Sequence, residues 1–299
     1  MKDFAGRTAF VTGGAHGVGI GLVRALLAQG CNVAIADIRA ASIDAALKAL
    51  DNPRAMGVTV DVASRQDLAR AADAVEEKFG VVSLLFNNAG VNLFQTIEQS
   101  SYDDWDWIMG VNLQGPINGV MTFVPRMIRA AKGGYVVNTA SMAGFLAAGA
   151  CGIYNTTKFA VRGMSASLRA SLAQHQVGVS VLCPGLVKSY IYASDEVRPA
   201  GLKAGAKPVD SEAVKRLAAL HEFGMEPDVI AARVLDAMRE DRFHIFSHPE
   251  FKDELGEVFA ETIEDFRDYP VDPGHVPRVD FENTRRASYR QQRKGLKEP

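Results

Sequence analysis

Tyr154 and Lys158 stand four residues apart in a stretch patterned as a helix, so both side chains share one helix face. A free tyrosine hydroxyl titrates near pH 10 and is a poor base at neutrality. Making it half-ionised near pH 7 takes a shift of roughly three units, about 4 kcal/mol. A lysine ammonium held close by is a physical source for such a shift. Tyrosine and lysine recur at this spacing in many helices, so the pair gains meaning only from its company. Ser141 lies thirteen residues upstream, able to hydrogen-bond an oxygen that carries developing charge, and Asn112 lies further back.

These side chains need a scaffold. Short β-branched runs at residues 7–12, 32–37, 55–60, 82–87, 134–140, 178–183 and 243–247 read as strands covered on both faces. Helical patterns fill the gaps at 18–29, 42–51, 64–79, 102–130, 152–174 and 227–240. This alternation predicts an α/β fold, one doubly wound parallel sheet of about seven strands with helices on both faces. Residues 189–226 form a connection long enough to be a lid. Beyond the last strand, Phe251, Leu255, Phe259 and Ile263 recur every fourth residue, which predicts a helix from Phe251 to Phe266. From Phe281 onward six basic residues face Glu282 and Glu298, an end that suits either solvent or a subunit interface.

The first strand runs into Thr12-Gly13-Gly14-Ala15-His16-Gly17-Val18-Gly19 and then a helix. Glycine lets backbone approach a ligand, and the free N–H groups of the helix end seat a pyrophosphate. Asp37 closes the second strand, where a carboxylate accepts both ribose hydroxyls and repels a 2′-phosphate. That favours NAD over NADP. Arg39 is the counterweight, because its guanidinium could accept the phosphate, while a largely neutral His16 makes no strong clamp.

Six ordered motifs resemble the short-chain dehydrogenase/reductase family over roughly residues 5–250: Gly13-x-x-x-Gly17-x-Gly19, Asp61-Val62, Asn87-Asn88-Ala89-Gly90, Asn112, Ser141 with Tyr154 and Lys158, and Pro184-Gly185. The resemblance implies a Rossmann-type domain over 1–248, its lid at about 189–226, and a C-terminal extension over 249–299. It implies Asn112, Ser141, Tyr154 and Lys158 as catalytic residues. Tyr154 would move the proton, Lys158 would lower its pKa and hold the ribose, Ser141 would bind the substrate oxygen, and Asn112 would anchor a water beside Lys158. The cofactor surface implied is Gly13, Ala15, His16, Gly17, Val18, Gly19, Asp37, Asp61, Val62, Asn88, Gly90, Pro184, Val187 and Ser189, with Tyr154 and Lys158. Ser189 stands where the family usually has a threonine. The resemblance also implies a homodimer or homotetramer through the helices at 102–130 and 152–174.

Several further segments resemble bacterial dehydrogenases that oxidise the benzylic alcohol of lignin-derived β-aryl ethers: Met1-Lys2-Asp3-Phe4, the run 102–108, 123–128, Arg198-Pro199-Ala200 and the tail. Val91, Asn92, Phe94, Met142, Ser141, Phe145, Tyr190 and Tyr192 would wall a largely apolar, aromatic substrate pocket. The expected substrate is therefore a bulky secondary alcohol or its ketone. The alternatives are a ketoreductase on a steroid, terpenoid or 3-oxoacyl substrate, and an NAD-binding sensor without chemistry. The intact Ser141, Tyr154 and Lys158 argue against the sensor.

Composition bounds the rest. Apolar residues make up 47% and charged residues 23%, with a net charge of −2, which gives no case for nucleic acid or an anionic membrane. Cys31, Cys151 and Cys183 are scattered, as suits a reducing cytoplasm. His221, His244 and His248 lack metal-ligand spacing and read as loop or strand-end residues, so no metal is expected. Residues 133–157 carry no charge, yet their glycines and asparagines suit a buried strand entering a site better than a membrane span.

Overall fold

The near-continuous apolar runs become the strands of one sheet in the computed structural model, which describes residues 1, 3–205 and 211–292. They are β1 (Thr8–Thr12), β2 (Asn32–Asp37), β3 (Ala55–Thr59), β4 (Val82–Asn87), β5 (Gly134–Thr139), β6 (Val177–Cys183) and β7 (His244–Phe246). Their order is β3-β2-β1-β4-β5-β6-β7 and every neighbouring pair is parallel. Side chains alternate between faces, as the pleat demands. Ala9 and Val11 of β1 join a core with Leu22, Leu26, Ile230 and Val234, whereas Phe10 joins the opposite core with Leu68, Val75 and Phe123. The first core lies under α1 (Gly17–Ala28) and α8 (Pro227–Arg239). The second lies under α3 (Arg65–Phe79) and α5 (Gly115–Ala130). The fold is α/β and doubly wound.

α2 (Ala40–Leu50) and α6 (Gly152–Leu172) complete the expected crossovers. The single helix expected over 102–130 is instead α4 (Tyr102–Met109), a π-type turn at Gly110–Gln114, and α5. The N–H of Gly115 bonds to the carbonyl of Gly110, five residues back. One inserted residue shifts the phase of the apolar face by about 100°, which the short stretches on either side do not distinguish from one continuous helix. α4 starts firmly, because Ser101 and Asp104 form a reciprocal capping box.

The stretch expected as a lid contains 3₁₀ turns at Ile191–Val197 and Ala200–Leu202, followed by α7 (Ser211–His221). Its residues 206–210 lie outside the described residues. Its far limb is stitched back to the chain after β6: Met225 N–H donates to Leu186 O at 2.9 Å, and Lys188 N–H donates to Met225 O at 3.1 Å. Past β7 comes α9 (Lys252–Glu264), close to the expected helix. α10 (His275–Gln292) follows, where the sequence suggested only a polar tail; Arg293, Lys294 and Lys297 of that tail lie outside the described residues. Among the described residues, no helix is long and apolar enough to cross a membrane.

His244 sits among rings, 4.5 Å from Phe243, 5.4 Å from Phe246 and 5.5 Å from Phe145. Burial, then Arg162 and Arg169, push its pKa from 6.5 down to about 4. The unfolded chain therefore takes up a proton that the folded chain refuses, and stability falls as pH drops from about 6.5 towards 4. His244→Gln, neutral throughout, should show a flatter fall of Tm across that window in circular dichroism melts. Equal slopes for the two proteins would remove His244 as the cause.

Candidate active site

The glycine turn is locked to the end of β4. Thr12 Oγ1 accepts the N–H groups of Asn88 and Ala89 at 2.9 and 3.0 Å, and Asn88 Nδ2 donates to Thr12 O at 3.0 Å. Gly13 and Gly17 have φ of +61° and +49°, the left-handed region that favours glycine. A Cβ at Gly13 would meet Ala89 Cα at 3.0 Å, and one at Gly17 would meet Ser189 Cβ at 3.1 Å. α1 begins with no side-chain cap, which leaves its first N–H groups for an anion. Order reverses between β1 and β4, so this turn opens onto the topological switch point.

A cleft of about 1030 Å³ runs from Asp37 across that switch point to Tyr154. Gly13, His16, Gly17, Val18, Asp37, Asp61, Val62, Asn88, Gly90, Pro184, Val187 and Ser189 all line it. Ala15 and Gly19 do not. Ala15 is buried, its N–H 3.4 Å from Asp37 Oδ2, and Gly19 is a packing glycine whose Cβ would collide with Gly13 O at 2.0 Å. Arg39 turns its guanidinium to His16, with Nη2 3.3 Å from Nδ1. Desolvation, then Arg39, hold His16 below its ordinary pKa despite Asp37. A glycine cradle, an uncapped helix end and a buried acid one strand away fit an adenine dinucleotide.

At the inner end, α6 presents Tyr154 and Lys158, and Ser141 follows β5. Lys158 is 3% exposed; its Nζ donates to Thr139 O at 2.9 Å and lies 5.2 Å from the centre of the Tyr154 ring. Ser141 Oγ donates to Pro184 O at 3.3 Å and accepts the Ala143 N–H at 3.1 Å. Burial pushes the Tyr154 hydroxyl up to about 12, with a Ser141 hydrogen bond pulling down and Cys151 pushing up. Burial also pushes Lys158 down to about 8. Desolvation is thus the largest influence on both groups, and the expected lowering of the phenol by Lys158 together with an oxidised nicotinamide ring works against it.

Asn112, on the π-type turn, is 1% exposed and does not line the cleft. Its Oδ1 accepts the Val91 N–H and its Nδ2 donates to Val91 O, both at 2.8 Å. Its side chain thus clamps both backbone groups of Val91.

Val91, Asn92, Phe94, Tyr190 and Tyr192 line the substrate side, but Met142 and Phe145 do not. The 3₁₀ turn at Met142–Gly144 carries Phe145 away from the cleft, where its ring meets Phe246 at 5.4 Å and Phe259 at 6.2 Å. Trp107, Val197, Leu202 and His221 take their place in the wall. The His221 ring lies 5.4 Å from that of Tyr192, and its Nδ1 lies 2.8 Å from Val187 O.

His248 is a further residue missed from sequence. Its Nδ1 accepts the Gly185 N–H at 3.0 Å and its Nε2 donates to Leu186 O at 2.9 Å. Sixty-three residues separate it from Gly185, so no local pattern announces the contact. Among the described residues, no group of three His, Cys, Asp or Glu could hold a metal ion.

Residues 7–198 match the model of the short chain dehydrogenase family. The chain belongs to that family. It is an oxidoreductase of the kind whose named relatives are dehydrogenases acting on alcohol groups. It is 37% identical over 276 residues to the C alpha-dehydrogenase of Sphingobium sp. (strain NBRC 103272 / SYK-6), covering 91% of this chain and 90% of that protein. A solved short-chain dehydrogenase from Novosphingobium aromaticivorans is 59% identical, with a TM-score of 0.87 over 99% of this chain and 100% of that one. A short-chain dehydrogenase/reductase from Burkholderia phymatum, solved in complex with NAD, is 34% identical, with a TM-score of 0.84 over 91% and 99% of the two chains.

In this short-chain dehydrogenase, His248→Ala should release the Gly185–Leu186 backbone and raise the KM for the dinucleotide roughly ten-fold, the loss expected for a buried polar brace. His248→Asn, which retains an acceptor and a donor, should recover part of the loss. Unchanged KM values in steady-state kinetics for both variants would leave His248 without a positioning role.

Proposed function

We propose that the protein interconverts a secondary alcohol and its ketone with NAD, and that its substrate is a bulky aromatic, benzylic alcohol such as a lignin-derived β-aryl ether. The observation that carries this reading is the meeting of Ser141, Tyr154 and Lys158 at one end of a single cleft that has Asp37 at the other. Bound NAD supplies the hydride acceptor. The chain's own residues do the rest. Ser141 donates a hydrogen bond to the substrate oxygen, and Tyr154 takes the hydroxyl proton in oxidation or gives it back in reduction. Lys158 holds the ribose and, with its charge, favours the phenolate. A positive ring entering the cleft acts in the same direction against the desolvation that lifts Tyr154.

Asp37, 9% exposed, favours NAD, because a 2′-phosphate there would bring negative charge onto a buried carboxylate. The NAD held by the similar Burkholderia protein supports this choice. Phe94, Trp107, Tyr190 and Tyr192 give the substrate wall its aromatic character. The likeness to a C alpha-dehydrogenase supports a benzylic carbinol over an aliphatic one.

Absorbance at 340 nm, read with NAD or NADP against aromatic, steroid and aliphatic secondary alcohols, tests the reading. Aromatic carbinols with NAD should give the highest kcat/KM; a steroid or aliphatic preference would sink the substrate assignment. Tyr154→Phe should cost about 10²–10⁴-fold in kcat while NAD still binds. Alcohol oxidation should rise with pH by about one log unit per unit below the apparent pKa of Tyr154, because the base must be deprotonated. Ketone reduction should be level below that pKa and fall above it, because the acid must be protonated. Asp37→Ala should shrink the NAD over NADP ratio about 10–100-fold, the worth of a charge-assisted hydrogen-bond pair; an undiminished ratio would clear Asp37 of that role.

A further inference from the structure

From Lys252 to residue 291 no described residue is buried. α9 leans on the domain through half-buried Leu255 and Val258 and through the contact of Phe259 with Phe145. Beyond that contact the chain leaves the body. Ile263, Phe266, Tyr269 and Phe281 are 66, 83, 79 and 67% exposed, a concentration of apolar surface that solvent alone rarely covers. α10 has eighteen residues and only grazes α6. A helix of that length with no packed face is marginal in water.

The charges on the two helices are complementary. α9 carries Asp253, Glu254, Glu257, Glu261 and Glu264 against Lys252. α10 carries Arg278, Arg285, Arg286 and Arg290 against Asp280 and Glu282. Among the described residues these sets do not pair within one chain: Arg278 pairs with Asp272 in the linker and Arg285 with Glu282 of its own helix. The helix that α10 touches, α6, turns an uncharged stripe outward, with Thr156, Phe159, Gly163, Ser167 and Ser171 all exposed.

We propose that residues 252–292 form an arm that docks on a second copy of this chain, α9 of each copy lying against α10 of the other. A two-fold axis makes one surface complementary to itself, so the acidic helix and the arginine helix are each satisfied twice. The uncharged stripe of α6 continues the same surface. An anionic membrane or a nucleic acid would be repelled by α9. Another protein would have to match both signs at once, which a second copy does by construction.

Light scattering on the full chain at micromolar concentration tests this. The wild type should be a multimer that weakens as salt is raised. Glu254→Arg with Glu257→Arg and Glu261→Arg makes both arm helices basic, and Arg286→Glu with Arg290→Glu makes both acidic. Each variant alone should associate about ten-fold more weakly or worse, falling from tetramer to dimer or from dimer to monomer. An equimolar mixture should recover association, because each variant then meets its complement. All five positions are exposed, so unchanged circular dichroism and turnover will show that each variant is folded. Phe266→Asp with Phe281→Asp should also lower the mass, and mixing should not rescue it. A monomeric wild type, variants that keep the wild-type mass, or a mixture that fails to recover would each overturn the proposal.

Discussion

A lysine ammonium with 3% exposure and one carbonyl, that of Thr139, is the constraint on which the catalytic end depends. Taking such a charge from water costs several kcal/mol unless fixed dipoles replace the solvent. The surroundings are therefore held from several directions. Gly90 comes so close that a Cβ there would sit 3.6 Å from Lys158 Nζ and 3.5 Å from Asn112 Oδ1. Asn112 in turn grips both backbone groups of Val91, which fixes the path of the chain out of β4. The π-type turn is what brings Asn112 round to that grip. The burial that pushes Lys158 down to about 8 also pushes Tyr154 up to about 12, so neither group is poised by the protein alone. Positive charge brought into the cleft would lower the tyrosine.

The outer wall is held by a second buried charge pair. Arg198 of the lid region and Asp104 of α4 meet at 2.6 Å with 1% and 2% of their side chains exposed. Burial alone would raise the Asp104 carboxyl, but hydrogen bonds from Ser101, Arg198 and Gln95 hold it below its ordinary range. Arg198 also lies 5.2 Å from the Trp107 ring and donates from Nε to Leu202 O at 2.6 Å. Trp107 and Leu202 both face the cleft, so this pair sets the position of two wall residues without touching the cavity itself. A salt bridge so placed specifies geometry more than it adds stability.

How much of this was legible in the sequence follows from the range of each contact. The strands were legible, and so was the gathering of the glycine turn, Asp37, Ser141, Tyr154 and Lys158 along one cleft, because strand–helix alternation and short spacings set where they fall. Phe145 was misplaced because proximity in sequence says nothing of direction: four residues after Ser141, a 3₁₀ turn points it at α9. Gly19 was read as a cofactor contact because glycines look alike in sequence; its role is to let α1 pass close to Gly13. The π-type turn hid inside a continuous apolar pattern. Trp107, His221 and His248 were invisible as site residues because each reaches the cleft or its rim through contacts far away in sequence.

That last group shows what the family motifs leave undetermined. The matching family region ends at residue 198, yet the cleft-lining loop after β6 is set by residues beyond it. Gly185 has no room for a side chain, because Phe251 Cε2 would lie 2.5 Å and the His248 ring 3.1 Å from its Cβ. Val187 is bridged to Met225, and its carbonyl is met by His221. Gly224 has to lack a side chain for that approach, since its Cβ would fall 2.3 Å from the Val187 carbonyl carbon. Ser141, Tyr154 and Lys158 therefore come from the part of the fold that matches the family. The shape of the cleft they act in is decided by the lid region and by the turn that leads into α9, where one family member can differ from another without disturbing Tyr154 or Lys158.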